Sequence, residues 1–185
     1  MRKVQREDIL DYVTYSEGRD AYRLEVLAAK RPRRIHVGEY ITLLFENFDT
    51  MRYQIQEMVL HERLVREADI AHELETYNEL LGDTGELGCT MMIEIDNIEG
   101  RQERLQRWMG LNEHLYALLE DGRRIKPKWD ERQVGEDRLS AVQYLKFDTG
   151  GMLPVGFGCS FDDAEVCAEY TLTDGQRDAM RRDLT

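Results

Sequence analysis

The stretch LLFENFDTMRYQIQEM, residues 43–58, constrains the fold more than any other, because it sets an apolar run, a polar turn and a helix start side by side. Leu43, Leu44 and Phe45 predict a buried strand, and the spacing after them turns helical. Between the two, Glu46, Asn47, Asp49 and Thr50 gather where a helix leaves its first N–H groups unpaired. Such a junction either holds a ligand or caps the helix. The helix expected over 50–65 carries one apolar stripe of Met51, Ile55, Met58, Val59 and Val65, and a second of Tyr53, Leu60 and Leu64 on the opposite side. A helix apolar on two sides is sandwiched between partners, so this one is either central to the fold or a homo-oligomer contact.

A chain of 185 residues suffices for one well-cored domain, expected to span 1–185. Its net charge of −12 sets the field of the molecule against phosphate backbones and anionic lipid, so neither nucleic acid nor membrane is an expected partner. The basic cluster Lys30, Arg31, Arg33 and Arg34 around Pro32 reads as a helix C-terminus complementing the helix dipole. The N-terminal residues lack the apolar run of a signal peptide, and no segment approaches the ~20 apolar residues of a membrane span, so a cytoplasmic protein is expected. Three cysteines without C-x-x-C spacing fit a reducing compartment and exclude zinc-ribbon frameworks.

Along the chain, Thr14 and Glu17 have capping-box spacing ahead of a helix that Pro32 stops, with a short helical piece over 8–12 before it. Ile35 and Val37 alternate, Gly38 and Glu39 read as a kink or bulge, and 40–46 as a strand. Asp69 is the expected N-cap of a helix presenting Ile70, Leu74, Tyr77 and Leu81. Cys89, Met91, Ile93 and Ile95 alternate as in a half-buried strand, and a further helix follows Asp96. The pair Asp121-Gly122 predicts a hairpin between 114–119 and 123–128. A polar loop at 130–138, a strand at 141–147, a hairpin of 153–161 with 166–172, and a helix capped by Thr173 and Gln176 complete the chain. The fold class is α+β, with a mainly antiparallel sheet and about five helices, most of them in the first half.

Candidate chemistry centres on carboxylates. At 100° per residue Glu62 falls about 20° from Met51, inside the main apolar stripe, where a carboxylate must be paired. It is a candidate metal ligand or general base, although a salt bridge to Arg19 explains it better. With Glu46, Asn47, Asp49 and Glu57 it forms the candidate set for a polar pocket. Glu57 with His61, and Asp69 with His72, have helical carboxylate–histidine spacing, but the chain lacks the paired Glu-x-x-His motifs of di-metal bundles. His61 and His72 are therefore weak metal candidates, and no cofactor is expected. Cys159 and Cys167 lie symmetrically about Asp163, so a tight hairpin would place them opposite each other as a redox switch, or as reduced strand residues. Phosphate-loop, dinucleotide, zinc-protease and nucleophile-elbow motifs are all missing.

ILDYVTY at 9–15, VGEYITLLFEN at 37–47, QIQEM at 54–58, TYNELL at 76–81 and GELGCTMMIEI at 85–95 resemble a bacterial family known only as a domain of unknown function. The likeness is densest over 5–110 and thin after 150. It implies genes often set beside rubrerythrin-like and heterodisulfide-reductase-like iron–sulfur proteins, and it carries over no catalytic residue. Two readings follow. One is an accessory or interaction protein serving a redox or oxidative-stress iron–sulfur system. The other is an enzyme or small-molecule- or metal-binding domain with an acidic pocket near 46–62.

Overall fold

Strand periodicity organises the larger of two sheets. In the computed structural model, which describes residues 1–131, 135 and 137–184, that sheet runs in the order β1 (Arg34–Val37), β2 (Ile41–Phe45), β3 (Glu86–Ile93), β7 (Val142–Asp148) and β6 (Lys128–Trp129). The smaller sheet runs β5 (Arg124–Ile125), β4 (Leu115–Leu118), β8 (Gly156–Cys159), β9 (Ala168–Thr171). All these strand pairs are antiparallel. Alternate residues such as Leu43, Phe45, Cys89, Met91 and Phe147 share one buried face and meet Leu115, Ala117 and Phe157 of the smaller sheet. Three rings join the two sheets at their centre. The Phe157 ring lies 4.6 Å from Phe45 and 5.4 Å from Phe147, centroid to centroid.

Five α-helices are described: α1 (Tyr12–Lys30), α2 (Phe48–His61), α3 (Glu67–Asn78), α4 (Ile98–Arg107) and α5 (Asp174–Asp183). The fold is therefore α+β with helices concentrated toward the first half, as the sequence predicts. A second apolar cluster, separate from the sheet core, joins Val4 and Ile9 to Met51, Ile55 and Val59 of α2 and to Ile70 and Leu74 of α3. On another side of α2, Tyr53 sits 6.1 Å from the Tyr22 ring of α1. Both apolar sides of α2 are thus used within the chain, and the central-helix alternative accounts for them.

Several expected boundaries move, for local reasons. The N-cap of α1 is Asp11, whose carboxylate accepts from the N–H groups of Val13 and Thr14; Thr14 lies inside the first turn and donates its hydroxyl back to Asp11. Gly38 is not a kink but the left-handed turn residue, at φ 71°, of the β1–β2 hairpin, in which Val37 faces Ile41. The Asp121-Gly122 hairpin forms, yet its return strand is only two residues long. Lys126 and then Pro127, which has no N–H to donate, follow, and the chain crosses to the larger sheet as β6. Gly88 admits the close passage of the α3–β3 turn, since a Cβ there would stand 2.2 Å from the Leu80 carbonyl oxygen. The loop expected at 130–138 lies partly outside the described residues. No helix among the described residues is long and apolar enough to cross a membrane.

The basic cluster after α1 is dispersed rather than presented as a patch. Arg33 is buried and forms a forked pair with Asp183 of α5, Nε to Oδ2 at 2.7 Å and Nη2 to Oδ1 at 2.8 Å, and its Nη1 donates to the Ala29 carbonyl. Arg34 instead reaches Glu94, and Lys30 lies over the Tyr53 ring. Removing one member of a buried pair leaves the other charge uncompensated. Asp183→Ala should therefore lower unfolding free energy by about 3 to 5 kcal/mol in urea denaturation, whereas exposed Asp178→Ala should change it by less than about 0.5 kcal/mol.

Candidate functional site

The strand-to-helix junction is a closed hydrogen-bond circuit. Thr50 donates its hydroxyl to Glu46 Oε2 at 2.5 Å, and Thr90 of β3 donates to Glu46 Oε1 at 2.7 Å. Asn47 caps α2 by accepting from the Thr50 N–H at 3.0 Å, while its own N–H donates to Thr50 Oγ1 at 2.9 Å. Glu46, Asn47 and Thr50 are all buried, and Asp49 is exposed in the first helical turn, where its charge favours the helix N-terminus.

The other carboxylates of the expected pocket stand elsewhere. Glu62 is exposed, because α2 stops at His61 and Arg63 takes a left-handed φ of 51°; the helical extrapolation that buried Glu62 runs past the helix end. Arg19 pairs with Glu57 instead, Nε to Oε1 at 2.8 Å and Nη2 to Oε2 at 2.6 Å, and the Tyr15 hydroxyl adds a 2.7 Å bond. The Arg19 hydrogen bonds, followed by the Tyr15 bond and set against partial desolvation, hold Glu57 below the usual carboxylate range. Burial and the Glu57 acceptor push the Tyr15 phenol well up. Glu46, Asn47, Asp49, Glu57 and Glu62 therefore do not converge on one pocket.

His61 and His72 are both exposed, and among the described residues no group of three or more His, Cys, Asp or Glu side chains is placed to hold a metal ion. The facing cysteine pair does not form either. Cys159 stands opposite Ala168, one residue out of the symmetric register, and a one-residue shift in a sheet exchanges faces. Cys159 is buried, Cys167 exposed. The intervening loop is pinned to α4 through Asp163, which accepts from Trp108 Nε1 at 2.9 Å, and through Glu165, which pairs with Arg104. Burial pushes the Cys159 thiol up to about 11, which disfavours the reactive thiolate.

His36 and Glu94, two residues absent from the sequence expectations, line an open cleft of about 810 Å³ at the β1–β2 hairpin and the start of α4, and buried Thr42 links them from behind. Thr42 donates its only hydroxyl proton to Glu94 Oε2 at 2.6 Å, and its oxygen lies 2.9 Å from His36 Nδ1. With that proton committed, Nδ1 must be the donor, which leaves Nε2 of a neutral ring as an acceptor. Arg34 anchors the other oxygen of Glu94 at 2.6 Å. Arg101, Asn97, Asp96 and Glu39 complete a wall of mixed charge. Finding this group from sequence requires the hairpin register, in which His36 pairs with Thr42.

A different kind of surface runs along α1. Val13, Leu24 and Leu27 are 53%, 69% and 46% exposed and fall within about 60° around the helix axis. They face away from buried Tyr15 and Val26, with exposed Glu17 and Asp20 in the same row.

Residues 3–184 match the family described as "Protein of unknown function (DUF3501)". The chain belongs to that family. The match continues beyond 150, where the resemblance was thin, and includes the cysteine-bearing hairpin. DUF3501 membership is accompanied by a structural likeness to a crystal structure titled a novel protein of unknown function from Burkholderia pseudomallei K96243. It is 26% identical and covers 100% of both chains, with a TM-score of 0.88. No curated protein matches the chain.

Two measurements check the geometry of this DUF3501 chain. In mildly alkaline buffer, ring 15N shifts of His36 should report the Nδ1–H tautomer, and Thr42→Val should shift the population toward Nε2–H. Glu57 has a folded pKa below its unfolded value of 4.5, so its stabilisation is complete above that value and is lost as the pH falls through the folded one. Glu57→Gln should then cost about 1 to 2 kcal/mol near neutrality, allowing for partial exposure. In urea titrations at successive pH values, the difference should shrink toward zero in acid.

Proposed function

We propose that this chain is a non-catalytic accessory protein, folded as a single cytoplasmic domain over 1–185, that serves a redox or oxidative-stress iron–sulfur system. The observation that carries the docking role is the exposed Val13, Leu24 and Leu27 row on α1, a surface that the chain's own packing does not cover. Its acidic companions Glu17 and Asp20, on a chain of net charge −12, favour a partner that presents apolar residues rimmed by basic ones. The redox assignment rests on the gene neighbourhood implied by the family resemblance, and the partner it names is an iron–sulfur or rubrerythrin-like protein. The closed Glu46 circuit supports the same reading, because a junction whose polar groups satisfy one another offers little to a small molecule.

A second reading, a small-molecule enzyme or binding domain, is favoured by the His36–Thr42–Glu94 chain. An imidazole oriented by a hydroxyl and a carboxylate beside arginine and asparagine side chains is suited to moving a proton on a polar ligand.

Anaerobic affinity capture with iron analysis of the eluate tests the docking role. The native chain should retain an iron-containing rubrerythrin-like or iron–sulfur protein, and Leu24→Asp/Leu27→Asp should lose it while keeping native stability within about 0.5 kcal/mol, since both sites are exposed. An iron-free eluate from the native chain, or equal capture by the variant, would overturn the proposal.

A further inference from the structure

The cleft beside the β1–β2 hairpin holds charges of both signs that the chain's own ion pairs leave over. Two charged groups of its walls are taken: Glu94 is held by Arg34 at 2.6 Å, and Arg104 by Glu165 at 3.0 Å. Glu39, Asp96 and Arg101 are exposed in the same cleft, and among the described residues none of the three has an ion-pair partner. The one side-chain hydrogen bond that any of them makes there runs from Arg101 Nη2 to the Ile95 carbonyl, at 2.9 Å. It tethers the guanidinium to the wall by a single nitrogen and leaves Nε and Nη1 for another acceptor.

The walls that carry these charges are held in place. The Tyr40 carbonyl accepts from the Glu94 N–H at 2.8 Å, so the turn bearing Glu39 lies beside the chain that bears Asp96. The Tyr40 ring is packed by the Trp108 ring, 5.3 Å away between centroids, and by the Arg104 guanidinium carbon, 5.4 Å from its centre. Opposite charges thus share one cleft and do not pair. His36 adds a fourth group, because with Nδ1 turned to Thr42 its Nε2, at the far corner of the ring, is an unprotonated acceptor.

We infer that this cleft binds a zwitterionic α-amino acid, its carboxylate on the free edge of Arg101 and its ammonium among Glu39, Asp96 and His36 Nε2. A monoanion would meet Glu39 and Asp96, and a monocation would meet Arg101, whereas a ligand carrying both signs answers each wall. A guanidinium edge matches a carboxylate fork, and an ammonium brings three donors to the acceptors opposite. The volume of about 810 Å³ falls in the range of small-molecule sites and leaves room for the amino-acid side chain over Ala141. The site rests on the small-molecule reading of this cleft and involves no residue of α1.

The test is an NMR titration of the full chain near neutral pH with L-leucine, with N-acetyl-L-leucine as its anion-only and L-leucinamide as its cation-only relative. Leucine should give saturable shifts at the amides of Glu39, Asp96 and Arg101 and at the His36 ring, and each relative should bind about three- to tenfold more weakly. Two variants assign the ends, and both change exposed side chains, so folding should be kept. Arg101→Gln should largely close the gap between leucine and leucinamide, because the carboxylate has lost its partner. Glu39→Gln/Asp96→Asn should do the same for leucine and N-acetyl-L-leucine. Saturable shifts with leucine recovered unchanged would support the site while counting against proton transfer in it. Absence of saturable leucine shifts at these residues, equal binding of either relative by the native chain, or an undiminished gap in either variant would overturn the inference.

Discussion

The junction of helices and sheet depends on the Glu46 carboxyl group. It sits where β2 ends, takes one hydroxyl from the first turn of α2 and another from β3, and is buried together with the cap that starts the helix. A buried carboxyl without donors is expensive, and with two hydroxyl donors it becomes a directional constraint. Thr50 must lie one helical turn past the strand, and Thr90 must lie on the outer face of the neighbouring strand. Neither apolar cluster alone prescribes that angle. The helical cluster under α2 and the sheet core around the three phenylalanines are separate bodies of packing, and this circuit sets the one against the other.

Strand period, turn chemistry and one capping box are legible in the sequence, whereas the caps expected at Thr14 and Asp69 fall inside the first turns of helices that Asp11 and Arg66 begin. The alternation of Cys89, Met91 and Ile93, the Asp121-Gly122 turn and the Thr173–Gln176 box all appear where expected, because period and capping chemistry are local. Helix ends were less readable. Nothing in the string marks Arg63 as the left-handed residue that ends α2, since that conformation is usually taken by glycine or asparagine. The extrapolated Glu62 therefore landed in the core on paper and in solvent in the structure. The partner of Arg19 is Glu57, a residue whose sequence surroundings suggest a pocket and whose structural place is an ion pair.

Sites that need register were beyond reach for the same reason. His36, Thr42 and Glu94 belong to three stretches of chain, and only the hairpin at Gly38 brings the first two opposite each other. The cysteines show the same dependence in reverse. A symmetric count around Asp163 brings them face to face, whereas the loop pinned by Trp108 and Arg104 closes one residue later and separates them by face. Pairing two residues across a hairpin requires the parity of the turn, which tertiary contacts to α4 decide.

The Arg33–Asp183 pair joins positions 150 residues apart. The guanidinium leaves the end of α1 and finds its carboxylate only on α5, so the site beside α1 closes dry only when that helix has docked. Contacts of such separation are formed late, because the intervening chain must be ordered first. Arg33 thus works as a clasp between the two ends of the fold: without α5 in place, a guanidinium built to be dry would stand in water beside the end of α1.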